Sequence, residues 1–290
     1  DMANARRALG QSQRAMKDYE QALMTLNSVD AQDAETRGVV LANAAIAYAE
    51  RGDVDSAEAF FTDAIALAVR AGDYAAESVR RGNYGWFLMM IGRPRRAIAA
   101  LEQALVLSQT HNLLLEKAVQ TDNMGLAYDS MGDYATALEH HEKALDLIRQ
   151  VNNPHWQAII QVNTSRSLLS LGRIDEALAM VSEAVASGRA RQDYEALVQA
   201  LTQMARVLLR RGETEQAMAT ITEAAPLLRH IDQQRLEADV LSVQSEVQAA
   251  LGNYEAAEHL WSEARRLYTL LHMPQAKDEP VWLVNNPRES

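Results

Sequence analysis

The sequence contains no cysteine, only three phenylalanines and no long apolar run. Without cysteine the chain has no disulfides, no thiolate nucleophile and none of the usual structural zinc sites. No apolar run approaches the roughly 18 residues that span a bilayer, and no charged and then apolar signal segment opens the chain. We therefore expect a soluble, cytoplasmic protein that does not contact a membrane.

An excess of positive charge is also missing, because 39 acidic residues outnumber 28 basic ones and give a formal net charge of -11. Nucleic-acid binding depends on neutralising phosphates, so this balance argues against a general nucleic-acid-binding surface. Two local basic clusters remain, Arg80-Arg81 and the stretch from Arg93 to Arg96. They fit solvated helix ends better than they fit a binding patch.

Sequence motifs of common enzymes are absent as well. There is no Gly-x-x-x-x-Gly-Lys phosphate loop, no Gly-x-Ser-x-Gly elbow and no His-Glu-x-x-His. The run His140-His141-Glu142 is a poor chelator, because consecutive side chains diverge around a helix. The sequence therefore predicts a chain that is not an enzyme and needs no cofactor or metal.

What the sequence does contain is a repeat. After a first interval of 42 residues, glycine recurs every 40 residues, at positions 10, 52, 92, 132, 172, 212 and 252. Alanine stands five residues after every one of these glycines, and again twelve residues after. Helix-forming residues dominate the chain, and no stretch alternates in the way a strand does. The pattern indicates an all-α repeat protein.

The spacing has a mechanical explanation. Each glycine ends one helix, and a residue such as Asp133 caps the next one. The two alanines lie seven residues apart on one helical face, where small side chains let helices approach closely. Gly85 and Gly125, seven residues before two of the turns, cost about 1 kcal/mol each in a helix interior, which predicts close crossings there. Nine residues after the turn most repeats have a bulky apolar residue, whereas the fourth has His141, predicted to be a core-edge histidine with a local partner.

The segment from Gly132 through Asp133, Tyr134 and Ala137 to Ala144 resembles the tetratricopeptide repeat family, with its Gly-Asp-Tyr-x-x-Ala turn and paired alanines. The resemblance implies a right-handed α-solenoid superhelix of seven helix-turn-helix repeats. The repeats are expected at about 1–29, 30–71, 72–111, 112–151, 152–191, 192–231 and 232–272, as one solenoid over 1–272. The 40-residue period exceeds the usual period of about 34. It is similar to the longer-helix repeats of bacterial regulators related to the maltose regulator, signalling NTPases, kinesin light chain and the Leu-Gly-Asn repeat protein.

Both ends depart from the repeat. The chain starts without an initiator methionine, which suggests a piece of a longer polypeptide. The tail 273–290 holds three prolines around the apolar residues 281–284, including Trp282, and we expect it to fold back over the last repeat. A linker, or a strand-like ligand for a neighbouring molecule, is the alternative. In the sixth repeat, Pro226 falls late in a helix predicted over 214–230 and should bend or end it.

Candidate binding residues follow the first helix of each pair, which lines the concave surface in superhelical arrays of this kind. Nine residues before successive turn glycines stand amide side chains, at Asn43, Asn83, Asn123, Asn163 and Gln203. Asparagine is a mediocre helix former, so its recurrence needs a reason. It either bonds the neighbouring helix or reads the backbone of an extended peptide. The resemblance implies the second, since matching asparagines in peptide-binding relatives hold the main chain of the peptide.

The same face changes character along the array. An apolar patch comes first, formed by Trp86, Met89 and Met90. Asp122 and Asp129 follow and are expected to face the groove. A basic stretch formed by Arg166, Arg206 and Arg210 comes next. These arginines either grip a carboxylate or phosphate of a partner, or pair with Asp129 and Glu246 of the chain itself.

The predicted function is a protein-binding or peptide-binding module that holds an extended partner in its concave groove. Such a module suits the sensor or ligand-recognition domain of a larger bacterial regulatory or signalling protein. The alternative is a constitutive scaffold that assembles a protein complex without switching. Oligomeric state and the identity of the partner stay open.

Overall fold

The computed structural model describes residues 17–22, 24, 34–50, 53–231 and 233–284. Across these ranges the protein is built from helices, without a strand. Six complete helix pairs follow one another: α1 and α2 (Ala34–Glu50, Val54–Ala71), α3 and α4 (Tyr74–Met90, Pro94–Thr110), α5 and α6 (Leu114–Asp129, Tyr134–Val151), α7 and α8 (Pro154–Ser170, Ile174–Arg191), α9 and α10 (Tyr194–Arg211, Thr214–Ala224), and α11 and α12 (Gln234–Ala250, Tyr254–Leu270). The predicted first repeat lies largely outside the described residues, and only 17–22 and 24 of it are helical there.

The predicted break in the sixth repeat is confirmed. Helix α10 ends at Ala224, and the chain continues as a 3₁₀ helix over Ala225–His230. Pro226 lies at the start of this segment, and a proline has no N–H with which to continue the α-helical hydrogen bonds.

From the pair of α3 and α4 onwards, the turn inside each pair is set by glycine. Gly132 has φ of +79°, a left-handed conformation that costs other residues energy. In this conformation the amide of Asp133 donates to the carbonyl of Tyr128 at 3.1 Å and closes the end of α5. The Asp133 side chain then accepts from the amide of Thr136 at 3.2 Å and caps α6, which contributes about 1 kcal/mol.

The predicted close crossings are confirmed at both helical glycines. A Cβ at residue 125 would lie 2.6 Å from Cε1 of His141, and one at residue 85 would lie 2.8 Å from Cγ of Leu101. The alanines after the turn, such as Ala137 and Ala144, are fully buried. Small residues therefore bring the two helices of a pair into direct contact.

The first helices form the inner layer of the array. Helices α1, α3, α5, α7 and α9 each contact the first helix of the next pair as well as their own partner. In the described part of the chain, the second helices of successive pairs make at most marginal contact with each other. First helices that lie closer together than second helices bend the array, so the surface lined by the first helices is concave.

The tail packs on the last pair. After α12 comes a 3₁₀ helix, Pro274–Lys277, and then a short helix α13, Val281–Val284. Met273 is 7% exposed, and Trp282 and Leu283 pack into one apolar cluster with Trp261 of α12. Arg265 donates from Nε to the carbonyl of Ala276 at 3.1 Å. These contacts are those a cap would make, and whether the tail acts as one stays a prediction.

The tail also approaches a distant repeat. A Cβ at Gly92, in the turn of the third repeat, would lie 3.7 Å from Cγ of Pro274. The corresponding glycines of the next four turns have no described atom within 4 Å of such a position. The superhelix therefore winds far enough to bring the segment after its last repeat against its third repeat.

Candidate functional site: a groove along the first helices

The candidate site is the concave face of the first helices, called the groove here. Its first part, the apolar half, consists of Val39, Ile46, Val79, Trp86 and Leu126. Val39 is 47% exposed and Val79 is 41% exposed, so apolar surface is open to solvent in this half. Its second part, the charged half, consists of Arg166, Arg206, Arg210, Asp239 and Glu246. The groove thus differs in chemistry between its two halves.

The five amide side chains at equivalent positions of successive first helices are called the amide ladder here: Asn43, Asn83, Asn123, Asn163 and Gln203. They are not equivalent in their surroundings. Asn43, Asn83 and Asn123 are half-buried, whereas Asn163 is only 5% exposed. Asn163 donates from Nδ2 to Oδ2 of Asp122 at 2.8 Å, across to the preceding first helix. For Asn163, a bond to the neighbouring helix therefore accounts for the asparagine.

The other amides have weaker internal partners. Asn123 donates to Oε1 of Gln120 at 3.3 Å. Gln203 is 1% exposed, and its Nε2 lies 3.5 Å from Oγ of Ser165. Asn43 and Asn83 form no side-chain hydrogen bond with another described residue. A ligand-binding role of the ladder stays a prediction, and the half-buried asparagines are its best candidates.

One prediction about this face is wrong. Asp122 does not face the groove, because it is 2% exposed and its Oδ1 lies 2.7 Å from Nδ1 of His141. The other imidazole nitrogen, Nε2, lies 3.4 Å from Oδ2 of Asp129. Asp129 is half-buried and also accepts from the Ser167 hydroxyl, at 2.8 and 3.0 Å. The three charged groups face one another, and the two carboxylates stabilise the imidazolium between them.

His141 is fully buried in the core, deeper than the predicted core edge. Burial by itself favours the neutral imidazole, but the charges and hydrogen bonds of Asp122 and Asp129 outweigh it and raise the pKa of His141 to about 9. The ring is therefore a cation at neutral pH, placed between two carboxylates. The cluster of His141, Asp122 and Asp129 left a signal in the sequence. The fourth repeat has histidine where the other repeats have a bulky apolar residue, and the same repeat carries both aspartates.

Arg166 and Arg206 occupy the same position in neighbouring repeats. Both are half-buried, and neither forms a hydrogen bond or a close ion pair with another described residue. Burial lowers the pKa of Arg166, and the like charge of Arg206 lowers it further. Burial also acts to lower the pKa of Arg206, but Glu246 and Asp239 outweigh it and raise that pKa. The proposed pairing with Asp129 or Glu246 thus acts only at longer range.

The two carboxylates near the arginines, Asp239 and Glu246, differ in their surroundings. Asp239 accepts from Nη1 of Arg235 at 3.1 Å and from the Tyr268 hydroxyl at 2.8 Å. Burial is the largest influence on Glu246 and raises its pKa, while Arg206 and Arg210 act against that rise. Arg210, the third arginine of the basic stretch, is exposed.

The interpretation of the two basic clusters as solvated helix ends is wrong for Arg80, which is buried in the middle of α3. It fits Arg93 and Arg96, which are exposed at the start of α4. Arg80 is 5% exposed and donates from Nη1 to the carbonyl of Ala64 at 2.9 Å. Arg96 and Arg93 both pair with Glu58, Arg93 at 3.2 Å. These arginines stabilise contacts between neighbouring helices.

No cluster of three His, Cys, Asp or Glu side chains suited to a metal ion occurs among the described residues. None of the described helices combines the length and apolar character needed to cross a membrane.

Comparisons with known proteins agree with the geometry. Models of the tetratricopeptide repeat match residues 117–190, and residues 38–61 and 198–221. Tetratricopeptide repeat protein 29 of Trypanosoma brucei brucei is 27% identical over 132 residues, which span 43% of this chain and 26% of that protein. The match therefore spans about a quarter of the length of this curated relative.

Two solved structures share the fold at low sequence identity. A Rap protein complexed with Competence and Sporulation Factor superposes with a TM-score of 0.75 and 18% identity, over 93% of this chain and 74% of that one. NprR in complex with its cognate peptide NprX superposes with a TM-score of 0.61 and 16% identity, over 99% of this chain and 87% of that one. Together with the repeat models and the helix pairs described above, these findings identify the chain as a tetratricopeptide-repeat protein.

Proposed function

We propose that this chain binds a protein or peptide, which lies extended along the groove with an apolar side chain against Trp86. The observation that carries the proposal is the composition of the groove itself. Exposed apolar side chains line one half, and two arginines without a close partner lie in the other. Burying such apolar surface against a partner is favourable, and the free guanidinium groups supply specificity.

The similar structures support this proposal. One of them was solved with a cognate peptide and another with Competence and Sporulation Factor, on the same type of helical array. The half-buried Asn43, Asn83 and Asn123 offer donors and acceptors along the length of the groove. An extended backbone needs both kinds of group at regular intervals, which the repeat provides.

We further propose that the chain is the sensor domain of a larger bacterial regulatory or signalling protein, with a constitutive scaffold as the alternative. The two roles differ in their response to a ligand. If the full-length protein carries an effector domain, a groove-binding peptide changes the activity of that domain in the sensor case. In the scaffold case the peptide binds and the activity of every attached domain stays the same.

Selection from a random peptide library on the intact chain tests the binding proposal. Peptides recovered with the wild-type chain are then measured by calorimetry against Trp86→Ala, Asn123→Ala and a control, Val106→Ala. Val106 is 64% exposed on α4, a second helix outside the groove. We expect Trp86→Ala to weaken binding about 10-fold or more, as for a central apolar anchor, and Val106→Ala to leave it unchanged. Failure to select any peptide, or equal binding by all three variants, contradicts the proposal.

A further inference from the structure

We infer that a cleft on the outer face of the array, between the second helices α2 and α4, binds a small aromatic carboxylate. The cleft, called the outer cleft here, measures about 330 Å³, and α3 forms its floor. Small-molecule sites in proteins measure about 300–1,000 Å³ and combine apolar walls with a few polar groups. The outer cleft has this size, with apolar side chains in its middle and polar side chains at its ends.

The outer cleft lies on the side of α3 that faces away from the groove. Arg81, Tyr84 and Leu88 line it, and they follow one another at helical spacing. With about 3.6 residues per turn, each of them lies about half a turn around α3 from the groove residues Val79 and Trp86. The inference is therefore independent of the proposed function, and either can fail without the other.

Neighbouring repeats fill the equivalent space with a pair of rings. The rings come from the first helix, four residues before the turn glycine, and from the second helix, eight residues after it. In the second repeat they belong to Tyr48 and Phe60, whose centroids lie 5.1 Å apart. In the fourth repeat they belong to Tyr128 and His140, which stack with their centroids 5.3 Å apart.

The third repeat lacks both rings. It has Leu88 and Ala100 at these positions, and both side chains line the outer cleft. Ile65 of α2 and Ala99 also line it, so the middle of the cleft is apolar. A planar ring placed between these side chains takes the space of the missing pair and buries apolar surface. Since rings occupy the equivalent gaps of the second and fourth repeats, the cleft stays within one repeat, which favours a small molecule over a peptide.

The charge at one end of the outer cleft is balanced within the chain. Arg81 donates from Nε to Oε1 of Glu77 at 2.7 Å. It also donates from Nη1 to Oε1 of Gln103, which lines the cleft on α4. This end therefore holds a cation together with its own anion.

The other end carries an excess of positive charge. Glu58 accepts from Arg93 at 3.2 Å and from Arg96, so one carboxylate serves two guanidinium groups. Arg96 uses a single nitrogen, Nη2, for Glu58 and for the Tyr84 hydroxyl at 2.9 Å. Its Nε and Nη1 form no hydrogen bond with another described residue. These donors remain for a carboxylate from outside the chain, and hydrogen bonds between two charged groups are among the stronger ones.

The spacing along α4 fits this class of ligand. Arg96 and Ala100 are one helical turn apart, about 6 Å along the helix axis. An aromatic carboxylate spans a similar distance from its carboxylate group to the far side of its ring. The carboxylate group then lies at the Arg96 end, and the ring lies over Leu88 and Ala100.

Methyl NMR tests the site on the intact chain, labelled with ¹³C in its alanine methyl groups. The probes are 2-naphthoate, the neutral 2-naphthylmethanol, and decahydro-2-naphthoate, which is an anion without an aromatic ring. The signals of Ala99 and Ala100 are assigned with Ala99→Ser and Ala100→Ser. We expect 2-naphthoate to shift both signals through its ring current, with saturation, and to bind about 5-fold more tightly than either other probe. Absence of a saturable shift, or equal affinity of either other probe, overturns the inference.

Filling the outer cleft tests the location of the ligand. Ala100→Phe supplies the ring that Phe60 provides in the second repeat, and it should abolish the shift of the Ala99 signal. Thr220→Phe, at the equivalent position of the sixth repeat, is the matched control and should keep the wild-type affinity. If thermal unfolding shows that Ala100→Phe does not fold, Leu88→Tyr makes the same test with the tyrosine of the second and fourth repeats. Wild-type affinity in a folded filling variant places the ligand elsewhere and overturns the inference.

Removing one charge tests the Arg96 end. Arg96→Gln should lower the affinity for 2-naphthoate about 5-fold and leave the affinity for 2-naphthylmethanol unchanged. Arg95→Gln removes the same charge from an exposed neighbour on α4 that does not line the cleft, and it should change either affinity less than about 2-fold. Equal losses in the two variants indicate a general effect of surface charge and refute the role of Arg96.

Discussion

His141 Nδ1 lies 2.7 Å from Oδ1 of Asp122, and both side chains are buried. The equivalents of His141 in the neighbouring repeats are Leu101 and Val181, both fully buried. Through Asn163 and Ser167 this ionic cluster reaches α7, so it joins the fourth repeat to the fifth. The fourth repeat is thus held by charges where its neighbours are held by apolar contact.

Stability should fall as the pH rises towards 9. Folding raises the pKa of His141 from 6.5 to about 9. The contribution of protonated His141 to the free energy of unfolding is therefore complete below about pH 6.5 and is lost as the pH passes through 9. Between these values the free energy of unfolding should fall by about 1.4 kcal/mol per pH unit. Urea unfolding followed by circular dichroism at pH 6.5, 7.5 and 8.5 measures the slope. His141→Gln should remove it, and His259→Gln, on the exposed face of α12, should keep it. Equal slopes in the two variants contradict the assignment.

Gly125→Ala should destabilise the protein, although alanine is the better helix former. The higher helix propensity of alanine by itself would stabilise the folded protein by about 1 kcal/mol relative to glycine. The new Cβ would lie 2.6 Å from Cε1 of His141, and forcing the helices apart costs about 1–3 kcal/mol. Thermal unfolding should show a lower midpoint for Gly125→Ala. In a His141→Ala background the same substitution should be neutral or stabilising, and a penalty of equal size there excludes the contact as its cause.

The two central asparagines, Asn123 and Asn163, should differ in their contribution to stability. Asn163→Ala removes a buried hydrogen bond to Asp122 and should cost about 1–3 kcal/mol of unfolding free energy. Asn123 is half-buried with a longer bond of 3.3 Å, so Asn123→Ala should cost less than about 1 kcal/mol. Denaturant unfolding of both variants gives the comparison. Equal costs indicate that the Asp122 contact does not distinguish them.

Contact between the tail and the third repeat is directly testable, because the chain contains no cysteine. In Gly92→Cys/Pro274→Cys the introduced Cβ at residue 92 lies 3.7 Å from the place of Cγ of Pro274, which is one bond beyond the Cβ of residue 274. Mild oxidation should yield an intramolecular disulfide, visible as a mobility shift on a non-reducing gel. Gly132→Cys/Pro274→Cys is the matched control, since no described atom lies within 4 Å of a Cβ at 132. Similar yields in both pairs indicate that the tail is not seated on the third repeat.

Much of the fold was predictable because its signals are local. The turn at Gly132 and the helix break at Pro226 depend on backbone conformations that these residues adopt or prevent by themselves. The close crossing at Gly125 followed from the cost of a glycine inside a helix. The candidate site was predictable only as a face, because helical periodicity places Asn123 and Arg166 on one side without naming their partners.

The sequence by itself determined the repeat, its register, the helix pairs and the face that carries the amides and arginines. Only the tertiary structure decided that Asp122 turns inward to His141, that Asn163 is already bonded, that Arg166 is not, and that Pro274 reaches Gly92. The reason is distance along the chain. Turns and helices depend on residues a few positions apart, whereas Asp122 and Asn163 are 41 residues apart and meet only when neighbouring repeats pack.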